Sequence, residues 1–330
     1  MTGWARNARR CARMPKPNAL LIGGMSEKML SDLGAVFTLH RPSDVTGFLQ
    51  ESGPDIAYVL VNGHGGVSGE MIAAMPALKV ISNYGVGYDA VDTDAAVKQG
   101  VIVTHTPNVL NEEVATTALM LMMACYRNLL ADDAYVRAGR WESDGNAPLS
   151  RSADGRKVGI LGMGRIGEAI ARKLTVFDAD ISYHTRTKKD LPYQYYDDLV
   201  TMARDVEVLI CITPGGPATR HLVNGEVIKA LGSEGMLINV SRGSVVDETA
   251  LVAALQSGDL GWAGLDVFEE EPKVPEALRA MSNVVLLPHV GSATEETRAA
   301  MGDLASQNLI AHHRDGKAVT PVPECAHLNG

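Results

Sequence analysis

Short apolar runs alternate with helix-periodic stretches along almost the whole chain. Residues 19–22, 36–39, 56–61, 80–82 and 101–104 form a first series of such runs. Residues 158–161, 181–183, 208–212, 236–240, 264–267 and 284–287 form a second. Runs that are apolar throughout, rather than alternating with polar residues, indicate parallel strands covered on both faces by helices. The pattern therefore predicts an α/β protein with two doubly wound parallel sheets, five strands in the smaller and six in the larger. The last helical pattern, 297–314, has no strand of the second series to follow. It is expected to return to the first domain, which then consists of 18–106 and 295–330, with 107–294 inserted and a cleft between the two. Residues 1–17 carry Arg6, Arg9, Arg10 and Arg13 without an acid and are expected to form a disordered basic tail.

The second series opens on a specific chemistry. The apolar run 157–161 passes directly into Gly162-Met163-Gly164-Arg165-Ile166-Gly167, and a helical pattern follows through Ala169, Ile170 and Leu174. Strand, G-x-G-x-x-G turn and helix in that order mark a dinucleotide site. Gly162 permits the tight turn, Gly164 admits the pyrophosphate to the backbone, and Gly167 lets the helix lie close to the strand. Arg165 and Ile166, the first residues of that helix, present free N–H groups and a positive dipole end. The larger domain is thus expected to be a Rossmann coenzyme domain, inserted in a smaller flavodoxin-like substrate domain.

The next strand end selects the dinucleotide. An NAD ribose hydroxyl is met by a carboxylate about twenty residues past the glycines. Here the chain reads His184-Thr185-Arg186-Thr187-Lys188-Lys189, with no acid before Asp190. Arg186 and Lys188 suit a 2′-phosphate, and the hydroxyls of Thr185 and Thr187 add hydrogen bonds. NADP(H) is preferred and NAD(H) remains possible.

Composition narrows the class further. A length of 330 residues, 46% hydrophobic and 21% charged, suits two cored domains. The net charge of −9 argues against a nucleic-acid or anionic-membrane partner. Cys11, Cys125, Cys211 and Cys325 are scattered, so no metal is expected, and a reducing compartment, the cytoplasm, is. The most apolar helix, Val114 to Cys125, contains Thr116 and Thr117 and is too short to span a bilayer. Asn239-Val240-Ser241 fits a glycosylation sequon but ends a strand, and we discount it.

Three ionisable residues follow strands of the second series: Arg242 after 236–241, Glu271 at the close of 264–271, and His289 after 284–288. Ligands of open α/β sheets bind beyond the carboxyl ends of the strands, so the three can share one crevice. Carbonyl reduction needs such a set. An imidazole can deliver a proton to oxygen near neutral pH, and a carboxylate beside it favours its protonated form. A guanidinium can grip a substrate carboxylate and polarise the carbonyl. Singly, each residue has a plainer reading as a structural hydrogen bond, a solvated turn or a surface pair.

From Ala19 to Pro323 the sequence resembles the D-isomer-specific 2-hydroxyacid dehydrogenase family. The resemblance rests on the glycine turn, on Asn239-Val240-Ser241-Arg242-Gly243-Ser244-Val245-Val246-Asp247, on Leu265-Asp266-Val267-Phe268-Glu269-Glu270-Glu271-Pro272 and on Pro288-His289-Val290-Gly291-Ser292-Ala293-Thr294. It implies that Arg242, Glu271 and His289 are the catalytic trio. It places Asp266, Gly291 and Ser292 about the nicotinamide, Ile212, Pro214 and Thr219 near the adenosine and pyrophosphate, and counts Val240, Ser241, Arg242 and His289 among the coenzyme-binding residues. Val86 and Gly87 match the loop whose N–H groups hold the substrate carboxylate, and Asn62, Gly63 and the residues to Gly65 match another wall. Thr185-Arg186 and Trp141 look most like the NADPH-preferring glyoxylate/hydroxypyruvate reductases, in which a tryptophan reaches toward the partner's site in a homodimer. The implied reaction is NADPH-dependent reduction of a small 2-oxo acid to the D-2-hydroxy acid. Hydroxyphenylpyruvate and 2-ketogluconate reductases share the motifs, and the fold also serves non-catalytic NAD(H)-sensing corepressors. Formate-type dehydrogenases lack a carboxylate at the place of Glu271. Val114-Ala115-Thr116-Thr117 departs from the family in lacking an acid after Val-Ala.

Overall fold

The computed structural model describes residues 15–62 and 65–330. The basic tail lies outside the described residues as far as position 14, and so does Gly63. The described chain forms two compact units, one reaching Thr106 and resuming over Gly302–Gly330, the other Pro107–Met301.

The first unit holds β1 (Asn18–Ile22), β2 (Thr38–His40), β3 (Ile56–Asn62), β4 (Val80–Tyr84) and β5 (Ile102–Thr104), in the order β2-β1-β3-β4-β5. Every pairing is parallel, and this is the flavodoxin-like order. β2 begins two residues later than its apolar run suggests. Val36 instead completes the helix Glu27–Val36, and the Phe37 amide closes that helix on the Leu33 carbonyl at 2.7 Å. The connecting helices start where side chains can cap them: Ser26, Asp44 and Asp92 each accept a first-turn amide. Leu20, Val59, Leu60 and Ile81 are fully buried, and Ala305 and Leu309 from the last helix, Glu295–Asp315, join their core. Ser82 on β4 fixes that helix by donating to the Ala305 carbonyl at 2.8 Å.

The second unit contains seven parallel strands, one more than the apolar pattern predicts. They are β6 (Lys157–Leu161), β7 (Asp180–His184), β8 (Gln194–Tyr196), β9 (Val208–Cys211), β10 (Met236–Asn239), β11 (Trp262–Leu265) and β12 (Val284–Leu286). Their order is β12-β11-β10-β9-β6-β7-β8. The extra strand, β8, has no apolar run because it is a three-residue edge strand, partly open to solvent, that pairs with β7 alone. The chain builds outward from β6 to β7 and β8, then restarts at β9 on the other flank of β6. This reversal places a binding crevice at the carboxyl ends of β6 and β9.

Helix Asn111–Tyr126 is buried through Ala115, Ala118, Leu121 and Met122 within this unit. Thr116 turns its hydroxyl to the Glu112 carbonyl at 2.9 Å. Among the described residues no single helix is long and apolar enough to cross a membrane. Cys125 is buried with its thiol pushed up to about 12, and full burial pushes the Cys211 thiol up as well, the environment of structural rather than reactive cysteines. The division between the units falls inside the last helix, between Met301 and Gly302, whereas the sequence pattern set it at the start of that helix.

Candidate active site

The glycine turn leaves β6 with Gly162 at φ +102°, and a Cβ there would meet the Ile212 carbonyl oxygen at 2.8 Å. The Gly162 amide donates to His184 O at 3.0 Å, which joins the turn to the end of β7. At Gly167 a Cβ would press into the Gly162 carbonyl, so only glycine lets helix Arg165–Leu174 lie this close. Gly164 is different. It is exposed, and a Cβ there would meet nothing within 4 Å. It occupies the cap position of the helix, and no side chain caps the first turn. Arg165 is exposed and Ile166 half-buried at that end. Uncapped amides, a positive dipole end and an open approach fit a dinucleotide pyrophosphate.

Beyond β7 the basic loop is open. Arg186, Thr187 and Lys188 are exposed, and among the described residues Arg186 and Lys188 make no ion pair. Lys189, next in the chain, turns away to Glu168 at 3.0 Å. The Thr185 hydroxyl donates to Thr187 O at 2.7 Å, and Tyr195 of the unexpected β8 braces the Thr185 carbonyl at 3.2 Å. Two unpaired cations on a braced loop fit a phosphate monoester. After β9, Ile212 donates its amide to Leu161 O at 2.9 Å, and the Thr219 hydroxyl closes the loop onto Pro214 O at 2.8 Å.

Arg242, Glu271 and His289 leave the carboxyl ends of β10, β11 and β12, which pair side by side. Neighbouring strands lie about 4.8 Å apart, so the three loops begin within about 10 Å of one another. Asn239, passed over in the sequence except as a discounted sequon, shapes the first loop. It is buried, its amide donates to Arg242 O at 2.9 Å, and its carbonyl accepts Ser241 N at 3.1 Å and Ser241 Oγ at 2.7 Å. Val240 and Ser241 are buried in that bend, and the Arg242 guanidinium donates to Ser241 O at 2.8 Å. Gly243 then passes so close to the Phe268 backbone that a Cβ would overlap it.

The other two residues meet directly. His289 Nδ1 lies 2.8 Å from Glu271 Oε2, while Glu271 Oε1 accepts the Phe268 amide at 3.1 Å. A carboxylate can only accept, so Nδ1 carries the shared proton. His289 has φ +53°, an uncommon backbone for a side chain of this size. Asp266 holds it there: its carbonyl accepts His289 N at 2.8 Å, and its two carboxylate oxygens accept Val290 N at 2.7 Å and Gly291 N at 2.8 Å. Burial raises the Asp266 carboxyl above its ordinary value despite those two donors. Gly291 has no room for a side chain, since a Cβ would sit 2.9 Å from Asp266 Oδ2, and Ser292 beside it is half-buried.

The remaining candidates lie on other segments of the chain. In the first unit, Asn62 ends β3 and folds its side-chain oxygen onto Gly65 N at 3.2 Å. The turn of Val86 and Gly87 is braced through its carbonyls: Asn83 donates to Gly85 O and Gly87 O, both at 3.0 Å, and His105 Nδ1 bonds Val86 O at 3.0 Å. Trp141 lies on the short helix Arg140–Asp144, 62% exposed, with Nε1 donating to Asn146 at 3.4 Å.

A seven-stranded parallel sheet with this glycine turn, and an imidazole–carboxylate pair at its carboxyl edge, defines a dinucleotide-binding dehydrogenase. The sequence model of the D-isomer specific 2-hydroxyacid dehydrogenase NAD-binding domain matches residues 119–291. A hydroxyphenylpyruvate reductase of Plectranthus scutellarioides is 46% identical over 92% of this chain and 98% of its own length. A glyoxylate/hydroxypyruvate reductase of Arabidopsis thaliana is 42% identical over 94% and 100%. The NADPH-dependent glyoxylate/hydroxypyruvate reductase of Sinorhizobium meliloti, crystallised with NADP and malonate, superposes with a TM-score of 0.90 at 46% identity, over 94% of this chain and 98% of that one. The chain belongs to the D-isomer specific 2-hydroxyacid dehydrogenase family and is an oxidoreductase of that family's kind.

Proposed function

We propose that this enzyme uses NADPH to reduce a small 2-oxo acid, hydroxypyruvate or glyoxylate, to the D-2-hydroxy acid. The observation that carries the reading is the 2.8 Å bond between His289 Nδ1 and Glu271 Oε2 at the carboxyl edge of the sheet, one strand along from Arg242. With Nδ1 committed to Glu271, Nε2 is the nitrogen left to give a proton to the carbonyl oxygen. Glu271 fixes the ring through that bond. Arg242 binds the substrate carboxylate and carbonyl oxygen. We assign the braced turn of Val86 and Gly87 to the carboxylate as well.

Gly162, Gly164 and Gly167, with the amides of Arg165 and Ile166, would hold the coenzyme pyrophosphate. Thr185, Arg186, Thr187 and Lys188 would hold the 2′-phosphate, which favours NADPH while leaving NADH usable. The bound nicotinamide supplies the hydride. A cytoplasmic homodimer, with Trp141 at the subunit contact, completes the proposal.

The hydroxyphenylpyruvate reductase named above is as similar to this chain as the Sinorhizobium enzyme. An aromatic 2-oxo acid is therefore the second reading, and a sugar-derived one the third, since the 2-ketogluconate reductase of Gluconobacter oxydans is 40% identical over 93% of the chain. Oxidation of NADPH and NADH should be followed with hydroxypyruvate, glyoxylate, pyruvate, hydroxyphenylpyruvate and 2-ketogluconate. We expect the highest kcat/KM with NADPH and one of the first two acids. A preference for hydroxyphenylpyruvate or 2-ketogluconate moves the assignment to that acid, and no oxidation with any of them overturns it. His289→Asn should retain NADPH binding and lose about 10²- to 10⁴-fold in kcat.

A further inference from the structure

A second imidazole–carboxylate pair lies two residues from the first. His221 Nε2 is 2.6 Å from Glu269 Oε1, and the Arg220 guanidinium reaches the same oxygen at 3.0 Å. Like His289, His221 sits in the left-handed region, at φ +52°. A non-glycine residue keeps that conformation only where its surroundings fix it, and such positions gather at functional sites. The surroundings here are specific. The His221 amide donates to Ser244 O at 2.8 Å, two residues past Arg242, while its imidazole holds Glu269, two residues before Glu271. Val223 N to Val245 O and Asp247 N to Val223 O, both 3.0 Å, continue the seam. Glu269 is also held from behind, its amide donating to Glu248 at 3.3 Å. One residue thus grips both loops that carry the proposed catalytic groups, and it follows directly on the loop closed by Thr219.

We propose that His221, acting through Glu269, is a positioning residue for the reaction: it sets the Arg242 loop and the Phe268–Glu271 segment in register with each other. The proposal rests on the reading of Arg242, Glu271 and His289 given above. His221 touches neither substrate nor proton. Its imidazole fixes where the Glu271 carboxylate stands, and Glu271 fixes His289.

The test uses three variants of the full-length enzyme. His221→Leu removes the N–H donor, His221→Gln keeps one, and both bear the same left-handed backbone. Glu269→Ala cuts the pair from the other side. With folding checked by circular dichroism and coenzyme binding by fluorescence, His221→Leu and Glu269→Ala should each lose roughly ten- to a hundredfold in kcat, the scale expected of a displaced catalytic group. NADPH should still bind. His221→Gln should recover most of the loss, and the double variant should be no worse than the poorer single one, because both cut the same link. Wild-type kcat and KM in His221→Leu would overturn the proposal. So would a His221→Gln as slow as His221→Leu, or losses that multiply in the double variant. Should His221→Leu fail to fold, wild-type kinetics in Glu269→Ala would decide against it. His289→Asn, measured alongside, separates the two levels. If that variant turns over normally, the catalytic reading falls and takes this proposal with it. If it is inactive while His221→Leu is fully active, this proposal falls alone.

Discussion

Glu271 divides its two oxygens between a ring and a backbone: Oε2 accepts a hydrogen bond from His289 Nδ1 at 2.8 Å, and Oε1 accepts one from the Phe268 amide at 3.1 Å. Both partners are donors, so the group between them must be an acceptor on both sides. Glutamine cannot be. In Glu271→Gln one donor faces an NH2 group, and the negative charge beside the imidazole is gone. The ring is then no longer held for proton transfer, so kcat should fall about ten- to a hundredfold while NADPH still binds. Wild-type kcat in Glu271→Gln would separate Glu271 from the proton donor.

Arg186 should discriminate between the two coenzymes. It is exposed and, among the described residues, makes no ion pair, so its removal costs the fold little. Arg186→Ala should raise KM for NADPH by about tenfold or more, the worth of one charge-assisted contact, and leave NADH nearly untouched. Equal losses for both coenzymes would refute recognition of the 2′-phosphate.

At Gly243 the constraint is steric, because a methyl group would overlap the Phe268 backbone. Gly243→Ala should push the segment carrying Glu271 away from the loop carrying Arg242. The expected cost is about 1–3 kcal/mol of stability, read by denaturant unfolding, together with a loss of kcat. Unchanged unfolding and turnover would mean that the two segments have room to part.

Asp266 ties pH to stability. Its carboxylate accepts two backbone amides, whereas asparagine offers one acceptor and one donor, so Asp266→Asn leaves a buried amide unpaired at about 1–3 kcal/mol. Burial raises this carboxyl in the folded chain above its unfolded value of 3.8. The native state therefore holds the proton more tightly, and the contribution of this group to stability is largest below the unfolded value and falls as pH rises through the folded one. The deficit of the variant should narrow as pH rises through that acid window and then stay constant. Urea midpoints across the acid range would show it, and a deficit that widens with pH would contradict it.

Most of the fold was legible because parallel strands buried on both faces announce themselves as unbroken apolar runs, as in 158–161 and 208–212. β8 was not, because a three-residue edge strand buries too little to need such a run. The glycine turn and the trio were legible through side-chain chemistry at strand ends. What supports them was not. Asn239 looked like a sequon, Asp266 like a neighbour of the coenzyme, and His221 like nothing in particular, because the work of each is a hydrogen bond to backbone or side chain distant in sequence. Lys189, left out of the phosphate-binding set although it ends the same basic run, is paired with Glu168, a partner that the run itself does not reveal. Residue type shows what a side chain can do, and only the folded chain shows which partner it has been given.

The unit built from the two ends of the chain has a consequence for synthesis. β1 to β5 emerge from the ribosome before the inserted unit, yet the core they form also requires Ala305, Leu309, Val322 and Cys325, which emerge after it. The inserted unit is continuous in sequence and can close while translation is still under way. β1 to β5 wait with a face open to solvent until 302–330 follow, so loss of that segment would strip their core of its cover rather than trim a loose end.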